Sequence, residues 1–147
     1  MLQEIHAAHQ DPPVLLLVED NRADVFLVKR AIEFHQVPVR IVVATDGDEA
    51  LQYLERAAAD PHETCPGVML LDLNLPKRSG LEVLERLREL PRYDDVPVIV
   101  VTTSGSRSDR EQSAHLGAAR YFQKPVSYQE FLRIGEVLNE VLEETRK

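Results

Sequence analysis

The amino-acid sequence predicts an α/β protein in which helices cover both faces of one parallel five-stranded sheet. Short apolar runs alternate with longer amphipathic stretches along the whole chain. Continuous runs rich in Val, Ile and Leu are typical of strands buried on both faces, as in a parallel sheet. Residues that cap helices stand before the amphipathic stretches. The order of elements is therefore (βα)5, and right-handed crossovers place helices on both faces of the sheet.

Five apolar runs are expected to form the strands. In chain order they are Val14 to Val18, Val39 to Ala44, Val68 to Leu71, Val98 to Val101 and Ala119 to Phe122. Pairs of residues with the spacing of a capping box mark the helix starts. The pairs are Asp46 with Glu49, Ser79 with Glu82, Ser108 with Glu111, Ser127 with Glu130 and, more weakly, Asn21 with Asp24. All five pairs stand at the start of an amphipathic stretch that follows an apolar run, so together they support the predicted helices.

The sequence predicts one domain. A chain of 147 residues with 44% apolar content is long enough for a single core. Residues 1–11 are polar and aperiodic, and we expect them to form a mobile tail ahead of Pro12 and Pro13. Residues 12–147 then form the domain. Ala57 to Gly67 makes a longer connection than the fold needs, with prolines at positions 61 and 66 as breakers.

Composition narrows the possible functions. A net charge of −8 argues against a nucleic-acid surface, which needs clustered Lys and Arg. The single cysteine, Cys65, rules out an internal disulfide and a cysteine-based zinc site and suits a reducing cytoplasm. No apolar stretch has the length of a membrane span, and the first residues lack a signal-peptide pattern. We therefore expect a cytoplasmic protein without a membrane or nucleic-acid partner.

Polar residues follow four of the predicted strands. Glu19 and Asp20 follow the first strand, Asp72 the third, Thr102 the fourth and Lys124 the fifth. In open parallel sheets, ligands bind beyond the carboxyl ends of the strands, at the point where the strand order reverses. With the flavodoxin-like order 2-1-3-4-5, that point lies between strands one and three. Topology and chemistry therefore select the same edge of the sheet.

The three carboxylates predict a metal site. Close carboxylates repel one another strongly in a partly dry cleft, and a divalent cation relieves this repulsion. Oxygen-only ligands favour Mg²⁺, with Mn²⁺ also possible. If Asp72 carried a phosphoryl group beside the metal and Lys124, the net charge of the site would be about −1. Such a site can hold an aspartyl phosphate but has no base placed for rapid turnover.

These residues resemble the signature of the receiver domains of two-component response regulators. The resemblance covers roughly residues 14–141 and rests on Glu19-Asp20, Asp72 with Asn74 and Pro76, Thr102, Tyr121, and Lys124-Pro125. It implies that Asp72 is the phosphoacceptor for a histidine kinase, and that Thr102 and Tyr121 report the phosphorylated state. It also implies that Lys124 contacts the phosphoryl oxygens. The Lys124–Pro125 peptide bond is often cis in this family.

The same resemblance implies a set of metal ligands. Asp20, Asp72 and the main-chain carbonyl of Asn74 would bind Mg²⁺, and Glu19 would act through water. Glu19 stands where the family more often has Asp, a variant that leaves metal binding intact. Arg78-Ser79-Gly80 stands where many receivers have Met-Asp-Gly, which changes only the outer surface of the loop.

A closer resemblance is to single-domain regulators that accompany phytochrome-type histidine kinases. It rests on residues 17–24, residues 71–76, residues 101–104 and the long connection before the third strand. It implies a stand-alone regulator that signals by protein contact or phosphorelay and is not a true enzyme. Slow autodephosphorylation is the only turnover expected.

Two other functions are alternatives, a phosphatase and a flavodoxin. A haloacid-dehalogenase-like phosphatase also has a strand-end Asp, Mg²⁺, Thr and Lys, but it needs an acid two residues after the nucleophile. This chain has Asn74 there, so turnover should be poor. A flavodoxin would need a phosphate-binding loop rich in Gly, Ser and Thr after strand one, where this chain has acids.

The last helix predicts a homodimer built from helix four, strand five and helix five. Its apolar residues occupy an arc wider than one sheet face usually covers. They are Phe131, Ile134, Val137, Leu138, Val141 and Leu142, with Leu132 outside the arc. We therefore expect some of this surface to remain uncovered in a monomer, although these residues could instead all pack on the sheet.

Overall fold

The protein forms one five-stranded parallel sheet, and each strand begins and ends within one residue of its predicted apolar run. The structure, a computed structural model, describes residues 11–146, so most of the predicted tail at 1–11 lies outside the described residues. The strands are β1 (Val14–Val18), β2 (Arg40–Ala44), β3 (Val68–Leu71), β4 (Val98–Thr102) and β5 (Arg120–Gln123). They pair in the order β2-β1-β3-β4-β5. The predicted α/β class, with its flavodoxin-like strand order, is confirmed.

In the described part of the chain, four helices connect the strands and two follow β5. They are α1 (Arg22–Phe34), α2 (Gly47–Ala59), α3 (Gly80–Leu87), α4 (Arg107–His115), α5 (Tyr128–Phe131) and α6 (Ile134–Arg146), with a 3-10 turn at Pro91–Tyr93. None of these helices is long and apolar enough to cross a membrane. The predicted last helix is thus two segments, separated by Leu132 and Arg133.

Four of the five predicted caps are confirmed. Each cap side chain accepts the backbone N–H of the residue three positions further on, at Asn21, Asp46, Ser79 and Ser127. The prediction for α4 was wrong, because Ser106 rather than Ser108 accepts there, from the N–H of Asp109 at 3.2 Å. Ser106 and Ser108 are both followed by an acid three residues later, so the sequence offers two overlapping start signals.

The core has two halves, one on each face of the sheet. Alternate residues of a strand point to opposite faces. Leu15 and Leu17 of β1 therefore pack with α1, α5 and α6, while Leu16 and Val18 pack with α2 and α3. Both halves of the core contain fully buried aliphatic side chains. This packing fixes the carboxyl ends of β1 and β3 side by side.

The last helix leaves little apolar surface uncovered. Five of the six residues of the predicted arc are buried, namely Phe131, Ile134, Leu138, Val141 and Leu142. Val137 and Leu132 are partly buried and also pack against the core. The uncovered apolar surface is therefore limited to these two residues, because α6 packs on both the sheet and α1. The homodimer loses most of this support and stays a prediction.

Candidate functional site

Three carboxylates meet where β1 and β3 end. Glu19, Asp20 and Asp72 each offer an oxygen, and these oxygens lie within 4.8 Å of one another. The parallel pairing continues past the strands, since the N–H of Asp72 donates to the carbonyl of Val18 at 3.1 Å. Glu19 and Asp72 are buried and Asp20 is exposed. An oxygen-only cluster, open to solvent on one side, fits a hard divalent cation such as Mg²⁺ or Mn²⁺.

Lys124 closes the site from β5. Its Nζ donates to Glu19 Oε1 at 2.7 Å, Asp24 Oδ2 at 2.7 Å and Asp72 Oδ2 at 2.9 Å. The backbone pairing of β4 and β5 brings it there, because the N–H of Lys124 donates to the carbonyl of Thr102 at 2.7 Å. The described residues contain no cis peptide bond, so the bond before Pro125 is trans and not the cis form that the resemblance favoured.

Asp24 is the member of the site that the sequence did not reveal. The capping pattern assigned it only to the start of α1, where its N–H does donate to Asn21 Oδ1 at 3.0 Å. Its carboxylate reaches instead to Lys124, a residue 100 positions away in the chain. An acid in the first turn of a helix is common for reasons of capping and helix dipole, so no local signal marks it as part of the site.

Burial perturbs the titration of these groups. It raises the pKa of Glu19 to about 7; the hydrogen bond from Lys124 opposes this rise, and the charge of Asp72 adds to it. Burial disfavours the charge of Lys124, but its hydrogen bonds to Asp24, Glu19 and Asp72 together raise its pKa above the ordinary value. Lys124 therefore keeps its positive charge, but this one charge does not balance the negative charges of the acids around it. The remaining negative charge is what a divalent cation would offset.

The loop after β3 folds tightly around Asp72. Asp72 Oδ1 accepts the N–H of Asn74 at 3.1 Å, which fixes the carboxylate in one orientation. The N–H of Gly80 donates to the carbonyl of Leu73 at 2.9 Å, and a Cβ at Gly80 would overlap the backbone of Asp72. Only glycine allows α3 to begin this close to the site. Lys77, with φ at 69°, takes the left-handed conformation that the turn requires.

Thr102 lies at the floor of the site, at the end of β4. It is fully buried, and its Oγ1 accepts from Asn74 Nδ2 and from the N–H of Ser104, both at 3.4 Å. These two hydrogen bonds are long, and therefore weak. The structure thus connects Thr102 to the loop of Asp72 on one side and to the loop before α4 on the other.

Tyr121 belongs to the same network. Its hydroxyl donates to the carbonyl of Ser104 at 2.8 Å, and the guanidinium of Arg110 lies 4.3 Å from the centre of its ring. The hydroxyl of Ser104 in turn donates to Asp109 in the first turn of α4. Ser104 belongs to the stretch 101–104 that carries the closer resemblance, whereas no sequence pattern pointed to Asp109 or Arg110. The contact of Arg110 with Tyr121 joins α4 to β5, which only the folded topology brings together, whereas Asp109 ties α4 to the loop before it.

The fold and the site define a protein class, and comparison with known proteins identifies it. Residues 15–134 match the family described as response regulator receiver domain. The chain belongs to this family of signalling domains. It is 40% identical over 133 residues to the Probable methanogenesis regulatory protein FilR2 of Methanothrix harundinacea, covering 89% of this chain and 84% of that protein. It is 35% identical over 113 residues to response regulator Rcp1 of Synechocystis, covering 77% of each chain.

Solved structures give the same result. The phosphorylated cyanobacterial phytochrome response regulator RcpA is 34% identical, with a TM-score of 0.79 and coverage of 88% of this chain and 92% of RcpA. The Mn²⁺-bound form of Rcp1 is 31% identical, with a TM-score of 0.77 and coverage of 86% and 91%. The resemblance to phytochrome-associated regulators and the predicted Mg²⁺ or Mn²⁺ cofactor are confirmed. The phosphatase alternative finds no support.

Proposed function

We propose that the chain accepts a phosphoryl group on Asp72 from a histidine kinase and passes the signal on through α4 and β5. The observation that carries this proposal is the position of the Asp72 carboxylate. One of its oxygens belongs to the cluster with Glu19 and Asp20, and its Oδ2 lies 2.9 Å from the ammonium of Lys124. A nucleophile held between a cation site and a fixed ammonium is suited to receive an anionic group.

The metal ligands we propose are Asp20, Asp72 and the main-chain carbonyl of Asn74, with Glu19 acting through water. The ion, when bound, supplies positive charge that offsets the charge of the phosphoryl oxygens. Asp20 is the exposed member of the cluster, where an incoming ion meets the protein first. Glu19 is fixed by the N–H of Asn21, which donates to its Oε2 at 3.1 Å.

The transfer step needs few protein groups. An oxygen of Asp72 forms a bond to phosphorus as the bond from phosphorus to the kinase histidine breaks, and the imidazole nitrogen keeps the electron pair and takes up a proton. Lys124 then contacts the phosphoryl oxygens. Hydrolysis should be slow, because Asn74, two residues beyond Asp72, cannot act as a base. The proposed activity is therefore signalling, with slow autodephosphorylation.

The conformational response starts at Thr102. A phosphoryl oxygen that accepts from the Thr102 hydroxyl adds one charge-assisted bond and draws Oγ1 away from two weak ones, in which Oγ1 accepts from Asn74 Nδ2 and from the N–H of Ser104. Such a bond is worth roughly 1.5–3 kcal/mol, enough to change a population ratio about tenfold to a hundredfold. Movement of Ser104 then frees the hydroxyl of Tyr121 and the first turn of α4.

We propose a phytochrome-type histidine kinase as the partner, with residues 12–147 as the receiver domain in the cytoplasm. RcpA, described as a phytochrome response regulator, supports this pairing. A phosphotransfer profile against all histidine kinases of the source cell would test it. Preferred transfer from a kinase without a phytochrome module would contradict the pairing and leave the receiver function intact.

The homodimer proposal rests on β5. This strand is at one edge of the sheet, and Arg120, Tyr121 and Phe122 are only partly buried. A second copy placed against it would contact the residues that respond to phosphorylation. Light scattering with and without a phosphoryl mimic would measure the mass. A strict monomer at tens of micromolar in both states would contradict the dimer.

Replacement of Asp72 tests the central proposal. The Asp72→Asn protein should take up no label from acetyl phosphate with Mg²⁺, and Asp20→Asn should bind Mg²⁺ much more weakly. Asp48→Asn is a matched control, because this exposed acid pairs with Arg78 and not with the site. Undiminished acid-labile labelling of Asp72→Asn would refute the assignment.

A further inference from the structure

Asp24 uses one of the three N–H donors of Lys124. Its Oδ2 lies 2.7 Å from Nζ, as close as Glu19 and closer than Asp72. An ammonium group has three donors and no more. All three are therefore directed at carboxylates, and the side chain of Lys124 is only 7% exposed. An incoming phosphoryl oxygen can reach a donor only by displacing one of these contacts.

Asp24 stands apart from the other two acceptors. Glu19 and Asp72 belong to the cation cluster, so a bound ion offsets their charge directly, but Asp24 is not a member. Asp24 and Asp72 contact the same nitrogen, so their oxygens are less than about 6 Å apart, where like charges repel strongly in a partly buried site. The charge of Asp24 thus acts against an anionic group on Asp72 and in favour of a cation beside it.

We propose that Asp24 is a positioning residue that acts through Lys124: it shares the ammonium charge, slows phosphoryl uptake by Asp72 and strengthens binding of the divalent cation. This inference rests on the function proposed above and adds a regulator to the same site. Asp24 is well placed for the role because the first turn of α1 holds it, with its backbone fixed by the Asn21 cap and its side chain 20% exposed.

Two variants separate charge from shape. Asp24→Asn removes the charge and keeps an oxygen that can accept from Lys124, whereas Asp24→Ala removes both. Phosphorylation is measured as the initial rate with acetyl phosphate at saturating Mg²⁺, where Asp72 bonds to phosphorus and acetate leaves with the electron pair of the broken bond. Mg²⁺ affinity is measured by calorimetry without a phosphodonor. Thermal melting checks that each variant is folded.

Both variants should be phosphorylated about threefold faster or more, and both should bind Mg²⁺ about threefold more weakly or worse. A purely structural role would not move the two quantities in these opposite senses. Asp48→Asn, which removes an acid from the first turn of α2, should change neither. Any other combination in the Asp24 variants overturns the inference, including a slower rate in both.

Labelling of the wild-type protein distinguishes a failure of this inference from a failure of the proposed function. If the wild type takes up no phosphoryl group on Asp72, the proposed function itself fails. If the wild type is labelled and the Asp24 variants are labelled at the same rate, only the role of Asp24 is refuted.

Discussion

The helices on the two sides of β5 are held in different ways. On one side, α6 buries Ile134, Gly135, Leu138, Val141 and Leu142 against the sheet and α1. On the other side, α4 buries only Ser113 among its nine residues. Polar contacts hold α4 instead, through Ser104 and Arg110. Elements with few buried apolar contacts open at the lowest free energy, so we expect α4 to be the helix that moves in response to a change at Thr102.

The contact between α1 and α6 is close as well as apolar. A Cβ at Gly135 would overlap the ring of His35 and the carbonyl of Ala31. Asn139 Nδ2 also donates to the carbonyl of His35 at 3.2 Å. Packing this tight has few alternative arrangements. We therefore expect α1 and α6 to hold their positions while α4 changes.

The largest effect should come from the α6 side. Leu138→Ala removes a fully buried side chain and should lower the free energy of unfolding by about 2–5 kcal/mol. Gln112→Ala, at an exposed position of α4, should change it by less than about 0.5 kcal/mol. Urea unfolding measures both. Equal losses would mean that α4 contributes to the core as much as α6 does.

The next effect is on coupling. Thr102→Ala should still be phosphorylated, but it should lose the roughly 1.5–3 kcal/mol bond that drives the response. Amide hydrogen exchange in α4, measured with and without phosphorylation, should change in the wild type and hardly in the variant. Thr103→Ala, whose side chain is exposed, serves as the control. If phosphorylation changed the exchange of α4 in Thr102→Ala as much as in the wild type, the proposed coupling through Thr102 would be refuted.

A smaller effect should follow from Tyr121→Phe. This change removes the hydrogen bond to the carbonyl of Ser104, worth about 1 kcal/mol. Residues of α4 should then exchange about fivefold faster in the unphosphorylated protein. Tyr53→Phe, on α2, is the matched control. Unchanged exchange in α4 would show that Tyr121 does not restrain the loop.

The smallest effect should be that of Arg110→Ala. The cation–π contact with Tyr121 is worth about 0.5–1 kcal/mol at a partly exposed site. Its loss should raise exchange in α4 about twofold to fivefold. Arg107→Ala is the control, because its pairing with Glu111 at 3.6 Å is exposed and lies within one helix. An equal effect of both variants would assign the change to helix charge and not to Tyr121.

The fold and the metal cluster were predictable because their signals are local. Each strand is one apolar run, and the residues that follow β1 and β3 must meet at the same sheet edge. Asp24 was not predictable, since its capping position explains it fully until the fold brings Lys124 to the start of α1. The burial of α6 was misjudged for a similar reason. An apolar arc looks too wide for the sheet alone, and only the close approach at Gly135 shows that α1 covers the remainder.

The two overlapping capping signals of α4 have a consequence for motion. Ser106 caps the helix, and Ser108 with Glu111 has the same spacing one half-turn later. A helix with two acceptable starting points can unwind its first two residues and still find a cap. We therefore expect the feature that made the boundary ambiguous in the sequence to let the first turn of α4, next to Ser104, unwind and be capped again at Ser108.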